Sequence, residues 1–166
     1  MDSREQELMR MMDAYGGMLT ALCSALLKDS HLAQDVVQET FLRAWRKMDD
    51  LRGGKMSEKA WLCRIAINRC RDHQRTRWMR MVDKQADPQP PQHWCSPPDE
   101  TAADVMEALG KLKPKYREVL TLHYLENMSA EEIGQSVGLS ASAVYRRLKK
   151  SKNQLKHLLE GWENDE

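Results

Sequence analysis

Apolar residues recur along this chain at alternating spacings of three and four, the signature of amphipathic helices. Leu8, Met12, Tyr15, Leu19, Leu22 and Leu26 form one such stripe and predict a helix over about 4–28, with Gly16-Gly17 as a point where it can kink. Asp29 and Ser30 read as punctuation and a new N-cap. A second helix is expected over about 31–48, burying Val37, Phe41, Ala44, Trp45 and Met48. Its other side carries Asp35, Gln38, Glu39, Arg43 and Arg46. Residues 49–56, with Gly53-Gly54, read as a loop. Ser57 can cap a third helix over about 58–80, whose apolar side is Trp61, Leu62, Ile65 and Ala66. Trp45 and Trp61 both lie on apolar stripes and are assigned to the core.

The pattern then stops. Five of the six prolines, Pro88, Pro90, Pro91, Pro97 and Pro98, fall within residues 81–100, where no apolar period survives. That composition predicts an extended linker, disordered in the free chain, and places the domain boundary inside it. Helical signals resume over about 101–112 and again from Pro114, a residue suited to a first helical turn, to about 126. Ser129-Ala130-Glu131-Glu132 has the form of a capping box, Ser at the N-cap and Glu at N3. It opens a short helix ending near Val137. Gly138 supplies a turn, and Ser140 opens a last helix to about 159. The expected fold is all-α: two small helical domains, 1–80 and 101–166, joined by a Pro-rich linker over 81–100.

Charge sharpens this picture through its distribution. The net charge is only +1. Arg64, Arg69, Arg71, Arg75, Arg77 and Arg80 nevertheless crowd one segment. Arg146, Arg147, Lys149, Lys150, Lys152 and Lys156 crowd another, with no acid between Ser140 and His157. Two basic segments in a nearly neutral chain point to two separate polyanion contacts, against the plainer reading of two solvated helix faces. On the third helix Arg64, Asn68, Arg71 and Arg75 fall at i, i+4, i+7 and i+11 and share one face.

The segment 129–156 reads as a helix-turn-helix. Ile133, Val137, Leu139, Val144 and Leu148 sit where two crossed helices need apolar contacts, and Gly138 sits where the chain turns sharply. The N-terminal part of the second helix would then face the bases of a major groove. Ser142, Tyr145, Arg146, Arg147, Lys149 and Lys150 are the candidates for that face. Gly134 stands where such motifs usually carry alanine.

Other chemistries are weakly represented. Four cysteines, Cys23, Cys63, Cys70 and Cys95, make no C-x-x-C pair and read as free thiols in a reducing compartment, with Cys95 the one expected to be exposed. Cys70 with His73, and His93 with Cys95, are too few for a four-ligand metal set. No cofactor motif, P-loop, dinucleotide turn or nucleophile constellation is present, so no catalysis and no cofactor are expected. No run approaches a membrane span and the N-terminus lacks a secretion signal, so a cytoplasmic location is expected.

Three segments together carry a resemblance. Residues 35–46 (DVVQETFLRAWR) look like region 2.2 of sigma-70 family factors, and residues 61–72 (WLCRIAINRCRD) resemble their regions 2.3–2.4. Residues 109–158 are similar to region 4, with YREVL at 116–120 and AEEIG at 130–134 as marks. Order and spacing match the extracytoplasmic-function (ECF) group, which keeps only regions 2 and 4. The resemblance implies an alternative sigma factor that binds core RNA polymerase and directs promoter recognition, DNA melting and initiation. It implies that Asp35, Gln38, Glu39 and Arg43 dock on the polymerase. It implies that Arg64, Asn68, Arg71 and Arg75 face the −10 element, and that the loop 51–57 helps capture a flipped base. Leu51 stands there where relatives often have an aromatic residue. The helix-turn-helix residues would read the −35 element, and an anti-sigma factor, soluble or membrane-anchored, would restrain the protein. The alternative is a self-sufficient helix-turn-helix regulator, which would ordinarily dimerise to span two half-sites.

Overall fold

The computed structural model describes residues 2–84 and 100–163, and they form eight helices. The first half comprises α1 (Ser3–Leu27), α2 (Ser30–Arg46), α3 (Met48–Gly53) and α4 (Glu58–Lys84). The second comprises α5 (Glu100–Lys111), α6 (Pro114–Tyr124), α7 (Ala130–Val137) and α8 (Ala141–Glu163). The expected prolines, with His93 and Cys95, lie outside the described residues. The start of the expected linker is helical, because α4 runs on to Lys84.

Local signals explain most boundaries. α1 continues through Gly16-Gly17 without a break. Asp29 caps α2, its carboxylate accepting from the backbone N–H of His31 and Leu32, both at 3.1 Å. Ser57 caps α4 through the N–H of Ala60 at 3.1 Å. Pro114 occupies the first turn of α6. One expectation fails here: residues 49–56 are not all loop. Met48 is buried and starts α3, and Leu51 packs against the core from that short helix.

The first half buries Met11, Leu19, Leu22, Cys23 and Leu26 from α1, Val36, Phe41 and Ala44 from α2, and Trp61, Leu62, Cys63, Ala66 and Ile67 from α4. Full burial of each large aliphatic side chain contributes ~1.5–3 kcal/mol. Two expected core residues are exposed instead. Met12 is 47% and Trp45 40% accessible, while Met11, one position from the apolar stripe, is fully buried. Trp61 is in the core as expected.

The two halves share one continuous core. α1 packs against α5 and α6, and α4 packs against α7. Polar ties cross the seam as well. Lys59 Nζ donates to the carbonyl of Glu126 at 2.8 Å, and Ser136 Oγ reaches the carbonyl of Ala60 at 3.5 Å. Arg117, 8% exposed, donates to the carbonyls of Leu109 (2.9 Å), Gly110 (2.9 Å) and Leu112 (2.8 Å) at the end of α5. It also donates to the carbonyl of Leu26, near the end of α1, at 2.8 Å. Four carbonyls at two helix C-termini replace the water this cation gives up.

Cys23, Cys63 and Cys70 are buried free thiols. Burial pushes the Cys63 thiol up to about 12. Cys70 is also raised, first by its hydrogen bond with Cys23 and then by burial. Lys28 opposes them, held down to about 8 mainly by burial and then by the charge of Arg117. A thiol that keeps its proton when folded and loses it near pH 9 when unfolded contributes stability that is lost as pH rises through that window. The loss is ~1.4 kcal/mol per pH unit for each group. Lys28 has the opposite sign between its folded and unfolded values, but two thiols outweigh one ammonium above pH 9. We therefore expect Tm to fall as pH rises from 9, with a shallower fall in Cys63→Ala. Thermal melts across pH 8–10.5 measure this, and equal slopes in the two proteins would refute the assignment.

Candidate nucleic-acid interface

The helix-turn-helix forms as its residues require. Ser129 Oγ accepts from the N–H of Glu132 at 3.2 Å, and the Glu132 carboxylate accepts from the N–H of Ser129 at 3.5 Å. Gly138 ends α7 in the left-handed region, φ 81°, where a side chain is strained. Its N–H and that of Leu139 both donate to the carbonyl of Gly134, at 2.8 and 2.9 Å. Ser140 then caps α8 through the N–H of Ala143 at 3.2 Å. Ile133, Val137, Val144 and Leu148 are buried between the helices, with Leu139 beside them.

This leaves one side of α8 in solvent. Ser142, Tyr145, Arg146, Lys149 and Lys150 are exposed, and Arg147 is half-buried. Tyr145 is 66% accessible, high for an aromatic side chain without a partner to cover it. Lys150 leans over the Tyr116 ring, its Nζ 5.7 Å from the centroid. A hydrogen bond from Lys150, with Lys115 nearby, holds the Tyr116 hydroxyl below its usual range. Among the described residues, no carboxylate pairs with the cations of this face; the one ion pair on α8 joins Lys156 to Glu160 at 3.8 Å.

The face of α4 is less uniform than its spacing implies. Arg64, Asn68 and Arg75 are exposed. Arg75 is paired with Asp72 at 2.5 Å. Arg71 is half-buried and turned to Glu118 of α6, its Nε at 3.0 Å and Nη2 at 2.7 Å from the two carboxylate oxygens. This pair keeps Arg71 charged, because the hydrogen bond to Glu118 raises its already high pKa. Leu51 does not join this face through a loop; it sits in α3 against the core. Trp78 and Met79, 64% and 55% accessible, extend the exposed surface of α4 beyond the residues the pattern picked out. Trp78 follows Arg71 and Arg75 by seven and three positions, so helical spacing alone could have found it.

On α2, Asp35, Gln38 and Arg43 are exposed. Glu39 is half-buried and accepts from Arg69 Nε of α4 at 2.6 Å, which ties the two helices together. Beside Gln38 runs an apolar groove of about 430 Å³ between α1 and α2, lined by Leu8, Met12, Val37, Phe41 and Leu42 among others. Leu42, four residues after Gln38 on a charged face, was its unused sequence signal. Among the described residues, no three His, Cys, Asp or Glu side chains gather as a metal site. No described helix is long and apolar enough to cross a membrane.

The chain thus pairs a helical unit bearing an arginine-lined face with a second unit built on a helix-turn-helix. The family comparison is specific. The sigma-70 region 2 family matches residues 11–80 and the sigma-70 region 4 family matches residues 102–155. The ECF RNA polymerase sigma factor SigL of Mycobacterium tuberculosis is 30% identical over 149 residues, covering 87% of this chain and 84% of SigL. The probable RNA polymerase sigma factor RfaY of Xanthomonas campestris pv. campestris is 28% identical, covering 93% of this chain and 41% of RfaY. The chain spans about half the length of the first curated relatives it matches. Among solved structures, the sigma factor RpoE of Bartonella quintana, in complex with the anti-sigma factor NepR, matches with TM-score 0.75 and 26% identity, over 94% of this chain and 96% of that one. The chain belongs to the sigma-70 family of RNA polymerase sigma factors, in its ECF group.

The close turn at Gly134 yields a test. A Cβ there would fall on the carbonyl oxygen of Leu139, nearer than side chains approach backbone. Alanine improves helix propensity by ~1 kcal/mol. We expect Gly134→Ala to lower Tm regardless, because the turn must open to admit the methyl. A Tm equal to or above that of the parent protein would show that the turn yields freely.

Proposed function

We propose that this protein is an alternative sigma factor. It binds core RNA polymerase, confers promoter recognition and performs no catalysis of its own. The observation that carries this reading is the pairing, in one ECF-type chain, of two nucleic-acid faces of different kinds. α8 presents an exposed basic face at the end of a helix-turn-helix, suited to a duplex major groove. α4 presents arginines interleaved with Asn68 and carries an exposed tryptophan, Trp78, three residues past Arg75, suited to single-stranded DNA, where cations hold phosphates and flat groups stack on bases.

In this reading Ser142, Tyr145, Arg146, Arg147, Lys149 and Lys150 contact the −35 element. Arginine can read guanine with two parallel donors, while lysine acts mainly on phosphate. Arg64, Asn68, Arg71 and Arg75 serve the −10 element, with Asn68 able both to donate to and to accept from a base edge. Leu51, fixed in α3, would support the flipped base by packing and not by stacking. Asp35, Gln38 and Arg43, with the apolar groove beside them, form the surface offered to core polymerase; Glu39 contributes by fixing α2 to α4. An anti-sigma factor, a class that the RpoE of Bartonella quintana binds, would restrain the protein by covering such surfaces, and the site of action is the cytoplasm.

Run-off transcription with purified core polymerase, this protein and a pool of genomic fragments tests the proposal. Discrete transcripts that require the protein are expected. On such a promoter, Arg147→Ala and Lys150→Ala should each cost about tenfold, the order of one lost charge-assisted contact. Asn68→Ala should spare core binding and reduce thymine reactivity to permanganate in the melted region. Absence of both transcripts and a stable core complex would instead favour a stand-alone regulator.

A further inference from the structure

The Arg71–Glu118 contact joins a residue of the proposed −10 face to the second half of the chain. Two parallel N–H donors meet two carboxylate oxygens at 2.7 and 3.0 Å. A guanidinium offers the same fork to a phosphate. The Glu118 side chain is 3% exposed and that of Arg71 40%, so the carboxylate is enclosed while the guanidinium remains reachable by water and ions. Arg71 lies between Asn68 and Arg75 in the series along α4 that spacing places on one face. While α6 lies on the first half, its Nε and Nη2 are engaged by Glu118.

We propose that Glu118 is an internal stand-in for the nucleic-acid phosphate, holding Arg71 until single-stranded DNA competes for it and gating the α4 face. This inference rests on the reading of α4 as the −10 face. The neighbouring residue explains how the contact can be reversible. Arg117 takes three of its four carbonyls from its own half, at Leu109, Gly110 and Leu112. If the halves part, it loses only the carbonyl of Leu26. Polar ties to the carbonyls of Glu126 and Ala60 also cross the seam, and water can replace the protein donors there. Arg71 and Glu118 form an ion pair that opening must break, with the Glu118 carboxylate enclosed on one side of it. A phosphate supplied to Arg71, with water supplied to Glu118, offsets that loss.

A double-mutant cycle on the full chain tests the gate. The probe is a fluorescein-labelled single-stranded 12-mer of mixed sequence, read by anisotropy at fixed salt, with the radius of gyration from small-angle scattering in parallel. Glu118→Gln should expand the free chain and tighten DNA binding about five- to tenfold, the order of one charge-assisted contact. The gain should vanish when Arg71→Ala is added. Arg71→Lys, which keeps the charge but not the fork, should also expand the chain, and it tests the gate without altering a buried side chain. Unchanged DNA binding in Glu118→Gln, while Arg71→Ala weakens it, would overturn the gate and leave the −10 reading standing. A gain that persists in the double variant would overturn it as a general effect of removing negative charge. Expansion in both single variants with no change in DNA binding would overturn the gate by removing the −10 role of Arg71 itself.

Discussion

The guanidinium of Arg117 sits at the junction of the two halves, and four backbone carbonyls hold its charge. Burial of a cation without such partners costs several kcal/mol, and burial lowers the pKa of this one. The carbonyls it uses are those a helix end leaves unpaired, at the C-termini of α1 and α5. One side chain thus satisfies two helix ends and fixes α6 against both. That placement sets the positions of the residues that follow. Glu118, the next residue, reaches Arg71. Val119, Leu120 and Leu122, buried along the same helix, complete the shared core.

The consequence for function is an asymmetry between the two proposed DNA faces. α8 stands clear of the seam, and its basic residues are open as the protein is drawn. α4 lies in the seam. Its inner side packs on α7, and one of its four candidate residues is turned to α6. Under the proposed roles, α8 would meet duplex DNA in the closed chain, whereas full use of α4 would require the halves to separate. The two proposed contacts would then be sequential.

Much of this was legible in the sequence, for identifiable reasons. The capping box at Ser129, the left-handed Gly138 and the cap at Ser57 are local devices, and each acts as its spacing dictates; the cap of α2 is Asp29, one residue before the expected Ser30. The apolar stripes located the helices, but they did not fix rotation to the residue. Met11 is buried and Met12 exposed, because the stripe of α1 faces two neighbours and leaves a groove between itself and α2. Periodicity points Trp45 inward, whereas the structure leaves it 40% accessible. α3 was hidden because Gly53-Gly54 signalled a loop while Met48 and Leu51 anchored a short helix. The Arg71–Glu118 pair could not be read at all. Its partners are 47 residues apart, and spacing within one helix carries no information about a second half folding back.

The near-zero net charge takes on a different meaning once the pairs are placed. On α4 the carboxylates are assigned: Glu39 to Arg69, Asp72 to Arg75 and Glu118 to Arg71. At the start of the same helix, Glu58 is paired with Arg10 of α1. On the exposed face of α8, no carboxylate is assigned among the described residues. Those four carboxylates sit against cations of α4 and of its neighbour α1. Surface pairs such as Arg75–Asp72 contribute little to stability and yield readily to a competing anion. An enclosed partner such as Glu118 yields only when the chain opens. Among the described residues, the same small net charge therefore covers an unpaired basic face on α8 and an arginine series on α4 of which Arg71 alone is tied to the other half of the chain.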